Sequence, residues 1–411
     1  MLKYDRFTLE NGLTVLFHKD TTTPLAVVNT LYNVGARDES ENKTGFAHLF
    51  EHLMFGGSIN IADFDTPLQL AGGENNAFTS NDITNYYDVL PSNNIETALW
   101  LESDRMLSLA FTEKSLEVQR SVVIEEFKQR YLNQPYGDVW LELRPLAYKK
   151  HSYKWATIGK DISHIEDATM EDVKSFFKKH YSPSNAILCI AGNFELAEIK
   201  ELTEKWYGGI PSGVKYERNL TPEPVQTEFR EKTIERDVPA DAFYYAFKMP
   251  DRMSPDFFSV DTLSDALGRD KSSRLYLNLK KELNLVSDIS AYITGSIDAG
   301  LLIISGKLNE GVSFDDFDSA LWKELDKIKS EAFPEKELVK IMNKIRTAKE
   351  FQDMGILNRA MNLCSYELLG DVSLINKESE AYQKITSADI LRMAQTILQK
   401  SSCSLLKVKS K

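Results

Sequence analysis

His48 and His52 stand four residues apart in the run GFAHLFEHLMFGG (45–57), with Glu51 beside the second of them. On a helix this spacing sets both imidazoles on one face, one turn apart. Two imidazoles so placed can hold a single metal ion, and an adjacent carboxylate can take a proton from water held there. Phe46, Leu49, Phe50, Leu53 and Met54 fill the opposite side of the helix, and Gly56-Gly57 ends it. The chain has only 6 histidines, so two of them bracketing a glutamate in an H-x-x-E-H pattern is a specific signal rather than a solvated face.

A catalytic zinc takes three protein ligands and keeps one position open for water. The run EKSLEVQRSVVIEEFKQRYL (113–132) offers Glu125 and Glu126. With Leu116, Val122, Val123 and Phe127 as the apolar stripe, Glu126 falls inside its arc and Glu125 points towards solvent. A carboxylate forced into an apolar face needs a cation or a hydrogen-bond partner. Glu126 is therefore the third candidate ligand.

These residues need a scaffold, and the pattern around them alternates strand and helix. Phe7–Leu9 and Leu13–His18 read as strands joined by the turn pair Asn11-Gly12. Ala26–Tyr32 and the apolar Ala186–Ala191 read as further strands. Helical spacing covers Gly45–Phe55, Asn93–Leu109, Glu113–Leu132 and Thr169–His180. Strands mixed with long helices in no strict βαβ order predict an α+β fold, helices packed on mostly antiparallel sheets. Residues 208–232 carry Gly, Pro and charge without periodicity and read as a linker between an N-terminal half (1–207) and a C-terminal half (233–411). The halves look related. Thr169 with Asp172 and Thr386 with Asp389 each open a capped helix that leads through a polar break into a strand, and Thr386 follows Thr169 by 217 residues. The same offset carries His48, Glu51 and His52 onto Asp265, Gly268 and Arg269, so the second half repeats the scaffold without a metal site.

Composition narrows the function. A chain of 411 residues with 42% hydrophobic and 27% charged residues suits two or three packed domains and excludes wholesale disorder. The net charge of −12 disfavours nucleic acid and anionic membrane surfaces as partners. No stretch reaches the roughly 18 apolar residues of a membrane span. The charged amino terminus MLKYDRFTLENG and three cysteines (Cys189, Cys364, Cys403) predict a cytoplasmic protein, or a periplasmic one had a leader been removed. The cysteines, in apolar surroundings, read as core fillers. His18, His151, His164 and His180 have no partner at ligand spacing and read as surface or satisfied residues. Tyr86-Tyr87 suits sheet packing or substrate contact. Lys43-Thr44-Gly45 with Ser175 and Lys178 does not make a penicillin-binding motif, because the order is reversed.

With the downstream Glu126, the H-x-x-E-H run resembles the pitrilysin/insulinase family of zinc peptidases, and its size and two-half layout resemble the branch of mitochondrial processing peptidase and its bacterial relatives. LENGLTVLFHKD is similar to that family's opening hairpin, YNVGARDESENKTGFAHLFEHLMFGGS to its strand, loop and zinc helix, and ENNAFTSNDITNYYDVLP to the segment lining its cleft. KKHYSPSNAILCIAGNF and SSRLYLNLKKELNLV are similar to hallmarks of its first and second halves. The resemblance implies a zinc metalloendopeptidase, with one Zn2+ per chain held by His48, His52 and Glu126 and with Glu51 as general base. It implies that Asn76, Ala77 and Phe78 lie on an edge strand that pairs with the backbone of an extended peptide. It also implies one half of a clamshell closed by a second, homologous subunit.

Two positions depart from that family. Seven residues before the glutamate ligand, where relatives carry an acidic residue, stands Gln119, which supports the site without charge. In the second half, the family's Arg/Tyr pair that holds the substrate carbonyl is replaced by Lys280 and Ser287 in LKKELNLVS. The expectation is the zinc-bearing subunit of a heterodimer whose partner supplies Arg and Tyr. A self-sufficient homodimer and a non-catalytic peptide-binding scaffold are the alternatives.

Overall fold

The computed structural model describes residues 1–411. Eleven strands form two sheets. The first contains β1 (Asp5–Thr8), β2 (Thr14–Lys19), β3 (Leu25–Tyr32), β4 (Glu74–Thr79), β5 (Thr84–Pro91) and β6 (Ala186–Gly192), in the order β1-β2-β6-β3-β5-β4. The second contains β7 (Arg230–Arg236), β8 (Ala242–Lys248), β9 (Val286–Ile293), β10 (Leu301–Leu308) and β11 (Cys403–Ser410), in the order β7-β11-β8-β10-β9. Helices pack on both, so the α+β class expected from the sequence is the class observed.

Apart from β1, the two sheets share one topology. β2 pairs parallel with β6 and β7 parallel with β11, while every other neighbouring pair is antiparallel. Both predicted capping boxes form: Thr169 accepts from the Asp172 N–H at the start of Met170–His180, and Thr386 accepts from the Asp389 N–H at the start of Ser387–Ile397. The 217-residue offset superposes these helices, and it likewise carries β5 onto β10. The predicted hairpin forms as well, with Gly12 at φ +90° and its N–H on the Leu9 carbonyl at 2.9 Å. That conformation favours glycine, as the Asn-Gly pair promised.

The compact units do not follow a single cut in the chain. One comprises residues 1–128, 155–220 and 350–376; the other comprises 129–154, 221–349 and 377–411. Apolar coverage explains the interleaving. In the first unit, the helix Ile356–Leu368 lays Ala360, Leu363 and Cys364 over Leu16, Val27, Leu31, Ile187 and Cys189 of the sheet. In the second, Val139, Leu143 and Ala147 of Val139–Ala147 cover Ile234, Ala242, Ile303 and Leu406. Each sheet thus buries one face against a helix drawn from a distant part of the sequence. Residues 208–232 are mostly irregular up to β7 but tied down. Arg218 pairs with Asp38 at 2.7 Å in the first unit, and the Glu223 carboxylate accepts the N–H groups of Lys149, Lys150 and His151 in the second.

Among the histidines set aside, His18 bonds the Lys3 carbonyl at 2.7 Å and His164 meets Thr44 at 2.9 Å. His180 corrects the expectation. It is fully buried between Phe176 and Tyr216, and neither ring nitrogen meets a hydrogen-bond partner. Burial pushes its pKa down to about 3, with Lys179 and Arg218 adding to the shift and Asp38 opposing it. Between pH 6.5 and that value the unfolded chain binds a proton the native state refuses, so stability falls as pH drops through this window. From pH 7 to pH 5 the native protein should lose about 2 kcal/mol on this account. Urea midpoints at the two pH values, parent against His180→Gln, check it: the variant should lose less on acidification, and equal losses would refute it.

Candidate metal centre

The helix Phe46–Leu53 is pinned at both ends. At its start the buried Glu39 carboxylate accepts the N–H groups of Gly45 (2.9 Å) and Ala47 (2.8 Å), satisfying donors that a helix N-terminus leaves open. Gly45 adopts φ +88°, and a Cβ there would sit 2.7 Å from the Ile158 carbonyl oxygen, so only glycine fits. Phe46, Ala47, Leu49, Phe50 and Leu53 are buried, which leaves His48, Glu51 and His52 on the remaining face.

The helix Glu113–Phe127 starts at Thr112, whose hydroxyl accepts the Ser115 N–H at 3.1 Å. Ser115 in turn donates to the Gly56 carbonyl at 3.1 Å, tying this helix to the segment that leaves the histidine helix. A Cβ at Gly56 would lie 2.3 Å from the Ser115 hydroxyl, so the approach depends on glycine. Leu116, Val123 and Phe127 are buried as expected, whereas Val122 is 44% exposed and lies outside the buried stripe. Glu126 still turns inward: its side chain is 18% exposed, against 59% for Glu125. Gln119, seven residues earlier, is half-buried on the same side of the helix.

The two helices bring three ligand atoms together. Glu126 Oε2 lies 3.6 Å from His48 Nε2 and 3.4 Å from His52 Nε2, and one ligand atom from each residue falls within 4.8 Å of the others. It is the one such His/Cys/Asp/Glu group in the chain. Zinc with nitrogen and oxygen ligands at about 2.1 Å in tetrahedral array separates neighbouring ligand atoms by about 3.4 Å. The donor set and its spacing therefore fit a zinc ion.

Glu51 sits beside this group. Burial pushes its carboxyl above the ordinary carboxylate range, while the Thr79 hydroxyl, donating to Oε2 at 2.6 Å, and nearby His52 hold it back. Thr79 ends β4, which is the outermost strand of its sheet; Asn76, Ala77 and Phe78 lie on it, opposite Tyr87, Tyr86 and Asn85 of β5. Tyr86 is fully buried and Tyr87 only half-buried. Thr79 and Glu39 were not singled out from the sequence. Strand periodicity could have found Thr79, since positions 75, 77 and 79 share one side of β4. Glu39 carries no comparable signal.

At the counterpart of the histidine helix, Phe257–Gly268, Asp265 forms an ion pair with Arg269 at 3.1 Å. Lys280 donates its ammonium to the Ser287 carbonyl, and the Ser287 hydroxyl meets the Lys307 carbonyl at 3.4 Å.

A sheet-borne helix presenting H-x-x-E-H, with a glutamate from a second helix completing the set, defines a metallopeptidase scaffold. Residues 14–158 match the model of the insulinase family, peptidase family M16, and residues 167–345 match that of the M16 peptidase inactive domain. The chain belongs to peptidase family M16, a family of zinc metallopeptidases. It is 28% identical to the zinc protease PqqE of Helicobacter pylori over 403 residues, covering 95% of this chain and 89% of that protein. It is 24% identical to the mitochondrial-processing peptidase subunit beta of Saccharomyces cerevisiae, covering 97% and 89% respectively. The crystal structure of a protease from Helicobacter pylori superposes with a TM-score of 0.93 at 27% identity, over the full length of both chains. No helix is long and apolar enough to cross a membrane.

Proposed function

We propose that this chain is the zinc-bearing subunit of a metalloendopeptidase that hydrolyses extended, unstructured peptides. The observation that carries the reading is the convergence of His48, His52 and Glu126 within 4.8 Å, with Glu51 alongside. In it, His48, His52 and Glu126 hold the ion and Glu51 is the general base. Zinc at this position would supply a Lewis acid that polarises the scissile carbonyl and lowers the pKa of the attacking water. Glu51 takes the proton of that water as its oxygen bonds the carbonyl carbon, then delivers it to the leaving amine as the C–N bond breaks. The outer edge of β4, at Asn76, Ala77 and Phe78, pairs with the substrate backbone. Main-chain pairing reads any extended segment and excludes folded ones. Gln119 supports Glu126 from its own helix without adding charge.

The purified chain should hold one zinc, and Glu126→Gln should weaken zinc affinity by at least about 100-fold, more than the loss of a supporting residue. Atomic absorption after dialysis against a graded chelator measures this. Removing zinc should stop peptide hydrolysis, and adding it back should restore it. Unchanged metal content in the variant would sink the assignment.

A further inference from the structure

The Thr79 side chain faces Glu51. Its hydroxyl donates to Oε2 at 2.6 Å. Two residues back along β4, the Ala77 N–H is covered by the Asn76 side-chain oxygen at 2.8 Å. Thr79 itself is held in register opposite Thr84 of β5. The strand with the open edge therefore ends on the carboxylate that would do the proton transfer.

A glutamate side chain has three rotatable bonds, and burial alone does not choose among its rotamers. A short hydroxyl bond from a residue fixed in the sheet does choose. We infer that Thr79 is the positioning residue for Glu51: it fixes Oε2 and leaves Oε1 as the oxygen that receives the proton of the attacking water. The inference rests on the reading of Glu51 as general base. It adds that peptide docking and base orientation share one strand, so a substrate pairing along β4 bears on the same backbone that aims the carboxylate.

The test compares Thr79→Val, which keeps the shape and removes the hydroxyl, with Thr79→Ser, which keeps the hydroxyl. On a quenched-fluorescent unstructured peptide, Thr79→Val should lower kcat by about 10- to 100-fold, a share of the effect of general-base catalysis, with KM within about threefold. Thr79→Ser should recover kcat to within about threefold, and all variants should keep one zinc per chain. A second readout needs neither metal nor turnover. In the zinc-free protein, Thr79→Val should lower the thermal midpoint in the parent background and by clearly less when Glu51 is already alanine. A Thr79→Val variant with parental kcat, a Thr79→Ser variant as impaired as Thr79→Val, or strict additivity in the zinc-free cycle would each overturn the inference. If Glu51→Gln instead cleaves like the parent, the base assignment fails, and the zinc-free cycle still decides whether Thr79 holds that carboxylate.

Discussion

Glu51→Gln should bind zinc like the parent and lose hydrolysis of an unstructured peptide by about 10^2- to 10^4-fold, the range that general acid–base catalysis supplies. Glutamine fills the same volume and can still take the Thr79 hydroxyl on its amide oxygen, so the fold around the helix Phe46–Leu53 should persist. What it cannot do is accept a proton. The three candidate ligand residues are untouched, so metal content separates a chemical defect from a structural one. Initial rates on a quenched-fluorescent peptide, with zinc measured on the same sample, check the expectation. A variant that cleaves as well as the parent would end the peptidase reading and leave a peptide-binding scaffold in its place.

Much of the centre was legible because it rests on local periodicity. His48 and His52 share a face by helical geometry, and Glu126 was separable from Glu125 by the apolar positions around it. The same reasoning misplaced Val122, because a stripe read from one helix does not know where its neighbour stops. Leu116, Val123 and Phe127 are covered, while Val122 stands 44% exposed. The repeat was legible from its two capping boxes, since capping is chemistry confined to four residues. The interleaving of the compact units was not legible. Whether Val139–Ala147 covers the sheet nearer to it in sequence or the other one depends on tertiary fit, and its amphipathic pattern is the same in both cases. Glu39 stayed hidden for a related reason: its partners are backbone N–H groups six and eight residues on, and a loop carboxylate has no period. His180 was misjudged because an imidazole without a bonding partner in an aromatic core is an exception to the pairing of buried polar groups.

The largest gain in turnover should come from a second chain. A homologous subunit with arginine and tyrosine at the positions of Lys280 and Ser287 should raise kcat of the mixture by about 100-fold or more, the effect of restoring an oxyanion donor. The local geometry supports this division of labour. The Lys280 ammonium is committed to the Ser287 carbonyl, and the Ser287 side chain is too short to extend a hydroxyl as tyrosine would. Neither position presents the planar guanidinium fork or the long phenol hydroxyl of the Arg/Tyr pair, and Asp265 on the corresponding helix forms an ion pair with Arg269. The first unit would then bring the metal and the base, and the partner the carbonyl-holding pair. Titrating the partner into a fixed concentration of this chain should give a rate that saturates at one to one. Full turnover by this chain alone, unchanged on adding partner, would favour a self-sufficient homodimer and assign oxyanion stabilisation to other groups of the chain.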